Sequence, residues 1–278
     1  MNTFIFNGKM MKEGIPFIGA DSRGFRYGDG LFETMKFKHG QLILGNEHFA
    51  RLWKGMQVLK FDIPKHFNPE NLENQIADLL KKNGHTGMVR IRLTVFRGEG
   101  GLYDTKNHKP NYTIQTWMLP ESADVWNSNG LVAGIYTDVK KSCDIVSNLK
   151  HNNFLPYALA ALHAQEKKWN DAILLNAFGR ICDTTIANIF LFKQNTFYTP
   201  SLEEGCIAGI MRKYIINQLG LNGYLVQEKA ITIEDMIDAE EVFLTNSIFN
   251  IRWVGQLGDI KFSNKTLFSI YPQLIQTI

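Results

Sequence analysis

Apolar and polar residues alternate through Thr3-Phe4-Ile5-Phe6 and stop at Asn7-Gly8, which predicts a strand entering a hairpin, since Asn-Gly tolerates the positive φ of a tight turn. After the glycine-punctuated stretch GADSRGFRYGDG, the segments LFETMKFK and QLILG flank Lys38-His39-Gly40-Gln41 as a second hairpin. Asn46 is then expected to cap a helix running to about Leu59. The next helix is better marked: Asn68 caps, Pro69 takes the first helical position, Leu72, Ile76, Leu79 and Leu80 line one face, and Gly84 ends it. MVRIRLTVF reads as a strand. The polar, aperiodic run PESADVWNSNG predicts a linker, dividing the chain into an N-terminal domain over 1–118, a linker over 119–129 and a C-terminal domain over 130–278.

The second half opens on the strand GLVAGIY, passes Lys150, and continues in an Ala- and Leu-rich helix from Pro156 to Lys168. A strand DAILLN, the turn Ala177-Phe178-Gly179-Arg180 and a second strand ending in ANIFLF predict another hairpin. Helices MRKYIINQLG and TIEDMIDA flank a short strand, and EEVFLTN is one more strand. This mixture predicts an α+β fold with mostly antiparallel hairpins.

Composition narrows the function classes. In 278 residues, 45% hydrophobic and 21% charged, 30 basic and 27 acidic side chains are dispersed, so a nucleic-acid or membrane surface is not expected and a small anionic ligand is. Cys143, Cys182 and Cys206 are odd in number and lack metal-ligand spacing, so neither a disulfide framework nor a metal site is predicted. The N-terminus lacks the apolar segment of a signal peptide, and a cytoplasmic location is the expectation.

Candidate chemistry is scattered along the chain. Lys150 in SNLKHNNFLP is an amine among small, polar and apolar neighbours; alone it would pass for a surface lysine. Asp183 in GRICDTTIANIFLF is a candidate carboxylate, or simply a strand-end aspartate. Arg51 in NEHFARL can grip an anion, and CIAGIMR offers a glycine-led helix start whose N–H groups point at one, to which Thr245 and Asn246 would add a hydroxyl and an amide. Phe32, Tyr27, Tyr103 and Phe249 are candidates for lining a pocket, although aromatic residues are more often core. An amine, a carboxylate and an anion clamp, together with a group for a substrate carboxylate, make up the set that a pyridoxal phosphate enzyme requires of its protein.

Five segments in this order, FRYGDGLFET, NEHFARL, NLKHNN, NAFGRICDTTIANIF and TPSLEEGCIAGIMR, resemble the class IV aminotransferases. The resemblance spans residues 4 to 255. It implies the fold-type IV PLP-dependent (D-amino-acid aminotransferase-like) architecture of two α/β domains, with pyridoxal 5'-phosphate at their junction, usually as a homodimer. It further implies that Lys150, on the C-terminal domain, is the Schiff-base lysine, that Arg51 binds the phosphate, that Gly209, Ile210 and Met211 form the cradling helix start, and that Thr245 with Asn246 close its far side. Asp183 falls where the family places a glutamate for the pyridine nitrogen. The family includes branched-chain aminotransferases, D-amino-acid aminotransferases and 4-amino-4-deoxychorismate lyases. Thr34 in GDGLFET, the stretch FRGEGGLY and the motif NLKHNN look most like the lyases, which implies β-elimination to p-aminobenzoate and pyruvate, with Arg97 and Arg92 gripping substrate carboxylates and Thr34 helping proton delivery. A transaminase is the alternative, and a PLP-binding homologue without catalysis a second.

Overall fold

The computed structural model describes residues 2–276 and 278. They form two compact units, Met1–Ala123 with Leu149–Asn153, and Asp124–Asn148 with Phe154–Ile278.

The first unit contains β1 (Thr3–Phe6), β2 (Lys9–Lys12), α1 (Arg23–Tyr27), β3 (Gly30–Lys38), β4 (Gln41–Leu42), α2 (Gly45–Val58), α3 (Pro69–Lys82), β5 (Val89–Arg97) and β6 (Pro110–Met118). Its strands form a six-stranded sheet in the order β2-β1-β6-β5-β3-β4, paired antiparallel throughout. The first hairpin turns as expected, with Asn7 at φ 48° and Gly8 at φ 79°. Helix α3 also starts as expected, the Asn68 side chain accepting the Asn71 N–H at 2.9 Å. Helix α2 differs: the residue before its first turn is Leu44, at φ 53°, and Asn46 lies inside the helix with no capping role. Helix α2 lies so close on β3 that a Cβ on Gly55 would sit 2.8 Å from Leu31 Cδ1, which is why that position has no side chain.

Two arginines that face inward shape the loop after β5. Arg23, 3% exposed, bonds to the carbonyls of Lys106 at 2.9 Å and Asn107 at 2.7 Å, with longer contacts to those of Gly98 and Glu99 at 3.4 Å. Arg97, expected at the substrate, is instead turned inward. Its guanidinium pairs with Asp29 at 2.9 Å, donates to the Leu59 carbonyl and to His108 Nδ1, and stacks on Phe61 at 4.4 Å.

The second unit contains β7 (Leu131–Lys141), α4 (Leu155–Glu166), β8 (Asp171–Asn176), β9 (Ile181–Thr184), β10 (Asn188–Lys193), β11 (Thr196–Pro200), α5 (Ile210–Leu221), β12 (Leu225–Lys229), α6 (Ile233–Ile237), β13 (Glu241–Asn246), β14 (Asn250–Leu257), β15 (Ile260–Lys261) and α7 (Lys265–Ile275). They build a nine-stranded sheet, β12-β11-β10-β13-β14-β7-β8-β9 with β15 on β14. Both faces are covered in part: Ala133, Ile173, Leu175, Ile189 and Leu244 belong to one apolar cluster, and Ala172 and Leu174 pack with Tyr157, Ala160 and Ala164 in another. Strand β8 is accordingly buried at every residue, and it loses the alternation that would have announced it.

Most pairings are antiparallel, as expected, and the parallel pairings β11–β12, β14–β7 and β7–β8 join them in this unit. Three further details differ from expectation. The strand expected to end in ANIFLF is two strands, broken where Asp171 accepts from the Thr184 hydroxyl at 2.7 Å and from the Thr185 hydroxyl at 2.6 Å. Part of the expected linker is fixed on β14, Asn127 accepting the Trp253 N–H at 3.1 Å and its indole N–H at 2.6 Å. Finally, Leu149–Asn153, with Lys150, groups with the first unit and not with the C-terminal one. Among the described residues no helix is long and apolar enough to cross a membrane.

Arg97→Met leaves the half-buried Asp29 without its cation and the Leu59 carbonyl without its donor, so it should lower the urea-unfolding free energy by about 2 kcal/mol. Were Arg97 a surface residue, unfolding would shift by less than about 0.5 kcal/mol.

Candidate active site

In the first unit the site is built on one face of β3. The Phe32 N–H donates to the Lys150 carbonyl at 2.8 Å, the Asn152 N–H donates to the Gly30 carbonyl at 2.9 Å, and Leu31 bridges His151, so Leu149–Asn153 runs along the strand like a further short edge. A side chain on Gly30 would meet the Val95 carbonyl at 2.4 Å and Asn152 Nδ2 at 2.5 Å, so glycine is required for that approach. The result sets Lys150 Nζ 4.7 Å from the centre of the Phe32 ring. The Arg92 guanidinium lies 3.9 Å from the same ring, and Thr34 is the direct cross-strand partner of Arg92. Three residues singled out in the sequence thus converge around Phe32. Tyr103, by contrast, is 97% exposed.

Behind β3, Arg51 turns two nitrogens onto Glu33, Nε donating at 2.8 Å, while His48 Nδ1 lies 2.7 Å from the same carboxylate. Burial pushes the Glu33 carboxyl up, but Arg51 and His48 outweigh it and bring it down to about 2. Burial, the largest influence on His48, lowers that ring below its ordinary value, so it is neutral at pH 7 and donates from Nδ1. Glu33 thereby fixes the direction of the arginine.

In the second unit Asp183, 2% exposed, is gripped through one oxygen. Oδ2 accepts from the Tyr157 hydroxyl at 2.9 Å, from the Ile207 N–H at 3.0 Å and from the Lys141 ammonium at 3.3 Å. Oδ1 is buried with no partner among the described residues. Burial draws the Lys141 ammonium down but the charge of Asp183 wins, and its pKa is raised; burial and then Asp183 push the Tyr157 phenol well above its ordinary value, so it remains a donor.

Nearby, Asn188 ties β13 to the start of α5. Its amide donates to the Ile207 carbonyl at 2.8 Å, its backbone pairs with Thr245 across β10 and β13, and its Oδ1 lies 1.9 Å from where a Cβ on Gly209 would stand. Gly209 is therefore obligatory as the residue before α5, and no side chain caps that helix, leaving the N–H groups of its first turn, including Ile210 and Met211, aimed outward. The Thr245 hydroxyl is buried without a partner among the described residues. Asn246 is otherwise engaged: its side chain accepts the Ile248 and Phe249 N–H groups and donates to the Ile186 carbonyl, closing the turn after β13.

In the second unit an orphaned carboxylate oxygen, an orphaned hydroxyl and an uncapped helix start suit a cationic ring nitrogen and a phosphate, and in the first unit a lysine packed on an aromatic ring suits an aldehyde; each set has chemistry that fits pyridoxal phosphate. The class IV aminotransferase model matches residues 30–257, and the chain belongs to that family of pyridoxal phosphate-dependent enzymes. It is 30% identical over 238 residues to an aminodeoxychorismate lyase of Vibrio harveyi, covering 85% of this chain and 86% of that protein. It is 28% identical over 250 residues to a D-alanine aminotransferase of Bacillus licheniformis, covering 87% and 84%. The fold matches that of the Escherichia coli branched-chain amino acid aminotransferase with a TM-score of 0.86 at 21% identity, over 98% of this chain and 92% of that one.

Sequence reasoning passed over Glu33, His48, Lys141 and Tyr157. The first two lay within motifs already quoted, one residue after Phe32 and three before Arg51; nothing local distinguished the other two. Because Glu33 is lowered from 4.5 to about 2, its contribution to stability is complete above pH 4.5 and is lost as pH falls toward 2. Glu33→Gln should flatten that limb, measured as urea midpoints between pH 5 and 2.5, whereas an unchanged slope would remove Glu33 from the acid response. Gly209→Ala should weaken pyridoxal phosphate binding by roughly tenfold in an equilibrium titration, through displacement of Asn188 and the helix start.

Proposed function

We propose that this chain is a 4-amino-4-deoxychorismate lyase, releasing p-aminobenzoate and pyruvate. The observation that carries the reading is the convergence of Lys150, Arg92 and Thr34 around Phe32, an amine, a carboxylate-binding fork and a hydroxyl on one face. The similarity to the Vibrio harveyi lyase supports this reading.

Bound pyridoxal phosphate supplies an electron sink conjugated to the substrate's amine. Lys150 takes the proton from the carbon bearing that amine, Arg92 binds a substrate carboxylate, and Thr34 beside it returns a proton. Asp183 would stand opposite the pyridine nitrogen, while Arg51, the start of α5 with Gly209, Ile210 and Met211, and the Thr245 hydroxyl would hold the phosphate. Arg97 and the Asn246 side chain have structural partners and are left out of this assignment. Elimination needs no water, because the atoms of the substrate equal those of the two products. We read the working form as a homodimer on the strength of the family resemblance.

A second reading, a D-amino-acid or branched-chain aminotransferase, is favoured by the similarity to the D-alanine enzyme. Purified protein given aminodeoxychorismate should release p-aminobenzoate and pyruvate in equal amounts, and Lys150→Ala should lower that rate by roughly 10³-fold or more. Keto-acid formation from D-alanine or leucine with no p-aminobenzoate would replace the lyase by the transaminase. Cofactor binding without turnover of either would make the chain a non-catalytic homologue.

A further inference from the structure

The second unit buries a paired ammonium. Lys141 lies at the end of β7, just after the register of β7 against β8 shifts between Tyr136 and Lys140, and it is only 8% exposed. Burying an ammonium is costly unless it is paired, and a fold that needed only packing there would be served by an apolar side chain. Lys141 has two partners instead: it donates to the Tyr157 hydroxyl and lies 3.3 Å from Asp183 Oδ2. Tyr157, itself 4% exposed and on α4, passes its own proton donor to the same oxygen at 2.9 Å. The Ile207 N–H completes the grip. Three donors on one oxygen leave the other without a partner among the described residues, and they fix the plane and direction in which it points.

We propose that Lys141 and Tyr157 are positioning residues that brace Asp183 so that its Oδ1 meets the pyridine nitrogen of the cofactor. This rests on the reading of Asp183 as the partner of that nitrogen. An aspartate reaches one methylene less far than a glutamate and cannot adjust by flexing a longer stem. A rigid brace from behind therefore matters more here: Lys141 supplies charge and Tyr157 direction, from two different elements of the same unit.

The test compares two ligands on the cofactor-free full-length chain: pyridoxal phosphate and its 1-deaza analogue, in which a C–H replaces the pyridine nitrogen. Dissociation constants come from tryptophan fluorescence titration, and the readout is their ratio. Wild type should prefer pyridoxal phosphate by more than tenfold. Lys141→Met should bring the ratio close to one, Tyr157→Phe should lower it at least threefold, and Lys141→Arg should restore most of it. A side chain that merely packs would weaken both ligands alike and leave the ratio unmoved. If Lys141→Met does not fold, Tyr157→Phe decides, since it removes a single oxygen; an unchanged ratio there overturns the proposal. Asp183→Asn separates the two levels. If it abolishes the preference while the Lys141 and Tyr157 variants keep it, Asp183 stands and the brace falls. If wild type shows no preference, or Asp183→Asn keeps it, the reading of Asp183 itself fails.

Discussion

Two main-chain hydrogen bonds, Phe32 N–H to the Lys150 carbonyl and Asn152 N–H to the Gly30 carbonyl, set the position of the lysine. Lys150 sits in a five-residue segment that groups with the first unit, although most of the surrounding chain belongs to the second. Such a segment has little core of its own, so its path is dictated by the strand edge it borrows. Gly30 permits the approach and β5 fixes β3 from the other side, aligning Thr34 with Arg92 and Phe32 with Thr94. The placement of the amine is thus inherited from sheet register, which a one-residue slip would invert.

Each unit also manages a buried carboxylate, in the same manner but with different partners. Glu33 is satisfied through both oxygens by Arg51 and His48, and it serves to orient a cation. Asp183 is satisfied through one oxygen and leaves the other buried without a partner among the described residues. The contrast marks the difference between a carboxylate that completes a structure and one left incomplete for a ligand.

The sequence made local features legible and remote ones obscure. Asn7-Gly8 and Asn68-Pro69 act through their own backbone, and both lie where the pattern places them. The family motifs pointed to Lys150, Arg51, Asp183 and Gly209 because each motif is a short run. The unit to which Lys150 belongs, the split of β9 from β10 and the parallel neighbours of β7 are settled by contacts between distant segments, and no local rule reports them. The surroundings of Arg97 were obscure for a related reason: an arginine in a glycine-rich stretch looks ready for a ligand, and only Asp29, Leu59 and His108 show that its donors are engaged. Lys141 stood beside Lys140 with nothing to tell the buried one from its neighbour.

Arg23 holds the loop after β5 entirely through main-chain carbonyls, those of Gly98, Glu99, Lys106 and Asn107. A clasp of that kind reads the path of a loop and ignores its spelling. Apart from Gly100, where a Cβ would stand 3.2 Å from the Arg23 guanidinium, the side chains from Glu99 to Asn107 can therefore be rewritten by mutation without loosening their anchor, which makes this loop a place where a lineage can try new surface chemistry while the sheet beneath it keeps its form.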